Sequence, residues 1–402
     1  MRLEVFPSKL SGEIAAPPSK SVSHRLLICA GLAGGESVID NVAYSQDVLA
    51  TLDCLEALGA GIKREGPRVI VTGNGGRLAA GKALDCRESG STLRFFVPVA
   101  LTSTGEFIFT GSQRLMQRPL SVYEDICRKI GAKFELSGDR LAVRGPIAPG
   151  EYAVPGDVSS QFITGLLFAL PLLPGESRVR LTGKLQSAPY TDLTLDAQRR
   201  SGIEIIREPD GWRISGSQRY KPFNGTVEGD CSNAAFLEGT NLLGHRVKVT
   251  GIAPDTLQGD RVYRNLFDKL REGRPEISVA DCPDLAPVLM ALAAANNGAT
   301  LTDTARLRIK ESDRGEAMKE ELEKLGARVT VEENRITVES ANLKRPKVPL
   351  DSHNDHRIAM AAFILLTVTG GEITGAEAVN KSYPGFYEAM TALGAEVRIN
   401  EA

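Results

Sequence analysis

The chain has 402 residues, 42% of them hydrophobic, which at about 150 residues per domain is enough for two or three domains with sizeable cores. Its 48 Lys and Arg against 50 Asp and Glu leave a net charge of −2, which excludes a surface of one sign built for nucleic acid or a membrane; any cationic site must be local. The start, MRLEVFPSKL, lacks the apolar core of a signal peptide and the longest apolar runs, FITGLLFALPLL and IAMAAFILLTV, are too short to span a bilayer, so a soluble cytoplasmic protein is expected.

A first strand leads into PPSKSVSHR (17–25), where a stiff Pro-Pro step precedes two cations, three serines and a histidine. Beyond it one pattern recurs: an amphipathic helix ending in Gly, an alternating strand, a polar turn and a second alternating strand. The copies are CLEALGAGIKREGPRVIVTG, ICRKIGAKFELSGDRLAVRG, QRRSGIEIIREPDGWRISG, LEKLGARVTVEENRITVES and a truncated MTALGAEVRINEA. In the second copy Val122, Ile126 and Ile130 share a helical face, Gly131 can take the left-handed cap, and Phe134, Leu136, Leu141 and Val143 alternate as a half-buried hairpin.

The terminating glycines, Gly59, Gly131, Gly202, Gly326 and Gly394, lie 72, 71, 124 and 68 residues apart, and the long gap has room for a degenerate copy around LFDKLREGRPEI. Six units result, three per half, so two α/β domains are expected. SQRYKPFNGT (217–226) has linker composition. The expected domains are 20–226, and 1–19 plus 227–402, with crossings near 17–20 and 217–229. Cysteines 29, 54, 86, 127, 231 and 282 show neither a C-x-x-C nor a zinc spacing and read as reduced packing residues.

Five segments gather hydroxyls or glycine with cations: SKSVSHR (19–25), ESGSTLR (88–94), GDVSSQF (156–162), RLRIKESDR (306–314) and SHNDHR (352–357). Four of them lead into apolar helical runs. A helix start offers free N–H groups and a positive dipole end, and Lys or Arg adds charge, a combination suited to phosphates and carboxylates. Taken singly, each is equally readable as an N-cap. As a set they also carry Glu311 and Asp355 among cations, either ion-paired structure or proton-transfer groups in an anion site. No G-x-x-x-x-G-K or G-x-G-x-x-G loop occurs, so the expected anions are small substrates.

The ordered run SKSVSHR, SGSTLR, QRP, SSQF, KESDR, NDHR and KSYPGF, from residue 7 to about 397, closely resembles the EPSP synthase (3-phosphoshikimate 1-carboxyvinyltransferase) family. The resemblance implies the enolpyruvyl transferase fold, an α/β, inverse β-prism-like pair of domains, each of three βαβαββ-type repeats. It implies transfer of the enolpyruvyl group of phosphoenolpyruvate to the 5-hydroxyl of shikimate 3-phosphate through a tetrahedral intermediate, on the way to chorismate and aromatic amino acids. A monomer without metal or organic cofactor is expected, and the family is the target of glyphosate. By position it assigns Ser21, Arg25, Ser159, Ser160, Gln161, Ser187, Tyr190, Asp284 and Lys310 to shikimate 3-phosphate. It places Lys20, Gly90, Arg118, Gln161, Arg314, Arg357 and Lys381 around phosphoenolpyruvate. Catalysis falls to Glu311, as proton donor and acceptor at the methylene carbon, to Asp284, as base toward the 5-hydroxyl, and to Lys20, as acid or clamp.

Asp281 in DCPDLAP competes with Asp284, which fits the family's acid-then-proline spacing into a helix. Glu88-Ser89-Gly90-Ser91 stands where many members have Asn-Ala-Gly-Thr, His24 replaces an Asn before Arg25, and Arg306 stands where some members offer an Asn. If the crossings are hinges, the domains are expected to close on the sugar phosphate. A UDP-N-acetylglucosamine enolpyruvyl transferase would typically carry a reactive cysteine in the segment GSQRLMQRP, which has none; a non-catalytic binding protein on the same fold is the other alternative.

Overall fold

A computed structural model describes residues 1–400 and divides the chain into two compact units, Pro18–Glu228 and Met1–Pro17 with the chain from Gly229 onward. In the first, Tyr220 is buried and its hydroxyl donates to the Phe168 carbonyl at 2.8 Å, while Asn224–Thr226 is a strand paired with Glu36–Asp40. The stretch expected to be a linker is therefore built into a unit, because an aromatic anchor and a strand outweigh its loop-like composition. The crossings fall at Pro17/Pro18 and Glu228/Gly229, where Ser19 N–H donates to the Glu228 carbonyl and Asp230 N–H to that of Pro17, both at 2.8 Å.

The repeat is clearest between residues 83 and 144. Strand Ala83–Asp85 leads through helix Gly90–Ala100 to the parallel strand Glu106–Thr110, then through helix Ser121–Ile130 to the hairpin Lys133–Ser137 and Arg140–Arg144. Gly131 ends the second helix at φ 70°, a conformation glycine takes without a Cβ penalty, and Gly59, Gly202, Gly326 and Gly394 do likewise at φ 95°, 76°, 94° and 106°. Val122, Ile126, Leu141 and Val143 are buried, but Ile130 and Leu136 are exposed, Leu136 because its strand lies at the edge of the sheet.

Among the described residues five sheets have four strands in this pattern and a sixth has two. Around LFDKLREGRPEI the helix Tyr263–Glu272 runs into Gly273 at φ 173°, which is extended backbone, and the next strand, Glu276–Ser278, joins the following sheet. The degenerate copy therefore lacks its hairpin, leaving only the parallel pair Ser11–Ala15 and Arg246–Thr250. The truncated last copy is completed by the N-terminal strand: Arg2–Phe6 lies between Gly371–Thr374 and Glu396–Asn400.

Helices that join two parallel strands are apolar around nearly their whole circumference and form the cores. In Pro18–Glu228 these are Gly90–Ala100 and Ser160–Ala169, and in the other unit Ala286–Ala295 and His356–Thr369; the equally buried Lys20–Leu32 and Cys231–Gly239, which each follow a crossing, belong to the same two cores. Among the described residues no helix is long and apolar enough to cross a membrane.

Candidate active site

All five singled-out segments open helices. Ser19, Ser89, Ser159, Asp313 and Asp355 are the N-caps, accepting from the N–H groups of Val22, Thr92, Gln161, Glu316 and Arg357. Four of the helices are apolar as expected, and the fifth, Arg314–Lys324, has a polar face. The cap reading thus holds for one residue in each segment and frees its neighbours, Lys20, Gly90, Ser160 and Arg314, for another role in the first turn.

In Pro18–Glu228 the starts of the Gly90 and Ser160 helices meet. Gln161 Nε2 donates to Ser91 Oγ at 3.0 Å, and its Oε1 accepts from Arg94 at 2.7 Å. The Arg118 guanidinium lies over Gly90, where a Cβ would come within 2.7 Å of Nη1. Arg25, buried on the Lys20–Leu32 helix, donates to Thr194 Oγ1 and to the carbonyls of Tyr190 and Ser21 at 2.9, 2.9 and 2.7 Å. Burial lowers its pKa to about 10. Ser187 precedes the Ala188–Arg200 helix in the left-handed conformation, φ 58°. Lys20 pairs with Asp47 at 2.8 Å. His24 is buried, its Nδ1 2.7 Å from Thr51 Oγ1, and burial, with the charges of Lys20 and Arg25 adding to it, holds its pKa well below 6.5.

In the other unit three helix starts converge on Arg314, which is 1% exposed. Its three nitrogens donate to Asp355 Oδ2, Asp284 Oδ1 and Glu311 Oε2 at 2.9, 2.8 and 2.9 Å. Asp284 also lies 3.6 Å from Lys310 Nζ and 3.5 Å from Arg357 Nη2. Arg357 in turn donates to Asn233 Oδ1 at 3.0 Å, which ties the His356 helix to the Cys231 helix. Lys381 Nζ donates to the Asn354 carbonyl. Asp284 faces this cluster whereas Asp281 is exposed. Arg306, outside the expected core site, donates to the Ala280 carbonyl at 2.6 Å.

Burial pushes the Asp284 carboxyl up, but Lys310, Arg314 and Arg357 together hold it well below the usual carboxylate range. Lys310 is lowered to about 8, chiefly by burial, with Arg314 adding to it and Asp284 opposing. The carboxyl of nearby Asp260 rises to about 7, from burial and then from the charge of Asp284. A cluster in which cations and carboxylates offset one another is poised to exchange an internal partner for an anionic ligand.

Sequence reasoning missed the partners: Asp47 for Lys20, Arg94 for Gln161 and Asn233 for Arg357. Arg94 stood inside a quoted segment; Asn233 gave no local signal. For a metal, Glu320, Glu321 and His353 bring ligand atoms within 4.8 Å of one another, but the Lys324 ammonium already sits 2.8 and 3.0 Å from the two Glu321 oxygens and fills the place of a cation. All six cysteines are free and buried.

Residues 6–390 match the family model described as EPSP synthase (3-phosphoshikimate 1-carboxyvinyltransferase). The chain is 41% identical to the 3-phosphoshikimate 1-carboxyvinyltransferase of Clostridium kluyveri, over 98% of each chain. Among solved structures it resembles an EPSP synthase of Acinetobacter baumannii, with TM-score 0.77 and 24% identity over 99% of this chain and 100% of that one. It also resembles the enolpyruvyl transferase NikO of Streptomyces tendae, with TM-score 0.79 and 16% identity over 100% and 99%. At these identities the two structures speak for the fold.

Proposed function

The chain belongs to the EPSP synthase family, and from that premise we propose that it moves the enolpyruvyl group of phosphoenolpyruvate to the 5-hydroxyl of shikimate 3-phosphate, as a cytoplasmic monomer. The observation that carries the residue roles is Arg314, a buried guanidinium that joins Asp284 and Glu311, the two candidates for proton transfer. Addition requires a proton at the phosphoenolpyruvate methylene as the sugar hydroxyl loses one; elimination of phosphate then removes a methyl proton. Glu311 serves the carbon and Asp284 the hydroxyl. Held low by three cations, Asp284 is ionised but weakly basic. An incoming carboxylate and phosphate draw Arg314 and Arg357 to themselves, and the proton affinity of Asp284 rises when it is needed. Lys20, Gly90, Arg118, Gln161, Arg314, Arg357 and Lys381 hold phosphoenolpyruvate. Ser21, Arg25, Ser159, Ser160, Gln161, Ser187, Tyr190 and Lys310 hold shikimate 3-phosphate.

Phosphate release tests the assignment directly. Release with phosphoenolpyruvate and shikimate 3-phosphate is expected; release only when UDP-N-acetylglucosamine replaces the latter would overturn it, and none with either would favour a binding protein. Against the sugar-nucleotide reading, the Gly111–Pro119 segment has no cysteine and every cysteine of the chain is buried.

Gly90→Ala gives a graded check. The added methyl meets the flexible end of Arg118, so the fold persists while the guanidinium is pushed off its place. Losing one charge-assisted hydrogen bond costs about 1.5 kcal/mol or more, so KM for phosphoenolpyruvate is expected to rise roughly tenfold with little change for shikimate 3-phosphate. Steady-state kinetics with equal effects on both substrates would remove Arg118 from that role.

Lys310 supplies a pH signature. Its pKa, lowered to about 8, means that the free protein loses this ammonium as pH rises through 8. The value of kcat/KM for shikimate 3-phosphate is therefore expected to fall above that pH, and Lys310→Arg, which stays charged, is expected to flatten the limb. An unchanged limb in that variant would assign the titration elsewhere.

A further inference from the structure

The turn that leads into the His356 helix is strained. His353 and Asn354 take φ of 50° and 52°, left-handed values that cost a side-chain-bearing residue energy and persist only where the surroundings impose them. Within the turn, Asp351 Oδ1 accepts from His353 N–H at 2.5 Å, Ser352 Oγ from Asn354 N–H at 3.2 Å, and the Ser352 carbonyl from Asp355 N–H at 2.8 Å. One flank bears on the cluster described above. Asp355 accepts from Arg314 and Ser312 and caps the helix that carries Arg357, while the Asn354 carbonyl accepts from Lys381.

The other flank is gripped by Glu321, whose side chain is 2% exposed. Its Oε1 lies 2.7 Å from His353 Nε2, and its Oε2 accepts from Asp351 N–H at 2.9 Å. Glu321 follows Arg314 by seven residues on one helix, two turns along the same face. A single helix therefore holds both ends of the turn, through Arg314 at Asp355 and through Glu321 at His353. We propose that His353 and Glu321 are positioning residues, a clamp that fixes the turn 351–355 and thereby aims Arg357 and Lys381 at phosphoenolpyruvate. The substrate in this inference rests on the function proposed above.

The charged groups around His353 are Glu320, 3.9 Å away, Glu321 with its partner Lys324, and Asp351. It also borders a groove of about 300 Å³ whose other charged residues are Asp313, Glu316, Lys319 and Glu323. Its hydrogen bond to Glu321 raises the imidazole pKa, burial opposes this, and the charges of Glu321, Asp351 and Glu320 add to the rise. The imidazolium therefore outlasts the ordinary value near 6.5, and the clamp weakens as pH rises through the raised value.

The test combines kinetics with NMR titration of the histidine ring, after wild-type phosphate release has judged the proposed function separately. His353→Ala is expected to raise KM for phosphoenolpyruvate about five- to tenfold with kcat within about twofold. His353→Gln, which keeps a donor for Glu321 but cannot titrate, is expected to restore most of the affinity and to lack the alkaline rise in KM that wild type shows. In the NMR arm, which needs no turnover, His353 titrates above 6.5 and falls back toward it in Glu321→Gln. An unmoved KM in His353→Ala, equal losses in the Ala and Gln variants, or an unshifted titration in wild type would each overturn the clamp.

Discussion

Arg314→Ala is expected to abolish measurable turnover and to destabilise the protein by about 3–5 kcal/mol, because it strips the counter-charge from a buried site. Three carboxylates, Asp284, Glu311 and Asp355, receive the three guanidinium nitrogens, and Asp355 itself is 0% exposed. The effect carries a pH sign. In wild type Asp284 is held below its ordinary range, so its contribution is complete above that range and is lost only as pH falls through the depressed value. In the variant the counter-charge shared by the cluster is gone, so protonating Asp284 costs the fold less than it does in wild type. The deficit, read from urea midpoints, is expected to shrink between pH 7.5 and pH 5. A deficit that is small, or that does not change with pH, would show that Arg314 does not neutralise this site. Arg314→Lys keeps a charge without the three-pronged fork, and it is expected to recover much of the stability and little of the activity.

What the sequence revealed, and what it hid, follows one physical division. Each terminating glycine was legible because a left-handed residue at the end of an amphipathic helix is a local demand, and all five glycines take it. The hairpins after them were legible from alternation. The pairings that complete the sheets were not: Asn224–Thr226 has three residues and no alternating pattern, and Arg2–Phe6, though read as a strand, fills a hairpin whose other strand is almost the whole chain away. The missing hairpin after Glu272 was hidden because a glycine was present in the sequence but in an extended conformation. At the site, cations and hydroxyls could be picked out as segments, and their roles came from the family resemblance. The pairs could not, since Arg357 and Asn233 are 124 residues apart and meet only because two core helices pack with their starts together. The alternatives at 281 and 284 were likewise a question of direction: Asp284 accepts from Arg314 at 2.8 Å, and Asp281 is exposed.

Glu311→Gln separates chemistry from binding within the same cluster. Glutamine keeps an oxygen that can accept from Arg314 Nη2, which now lies 2.9 Å from Glu311 Oε2, so the packing of the site is retained while the proton carrier is removed. The value of kcat is expected to fall by about 10²–10⁴, the usual share of general acid–base catalysis. KM for phosphoenolpyruvate is expected to stay level or to drop, because one of the three carboxylates that compete with the substrate for Arg314 has lost its charge. That combination distinguishes a proton-transfer group from a structural ion pair, whose loss would raise KM and lower stability together. The carbon-bound proton gives a second readout: in D2O, reversible addition and elimination washes deuterium into the methylene of phosphoenolpyruvate when shikimate 3-phosphate is present, and the variant is expected to lose this exchange along with turnover. Unchanged turnover would reject the acid–base role. Lost turnover with exchange intact would move the carbon proton to another group in the site and leave Glu311 as a partner that keeps Arg314 in place.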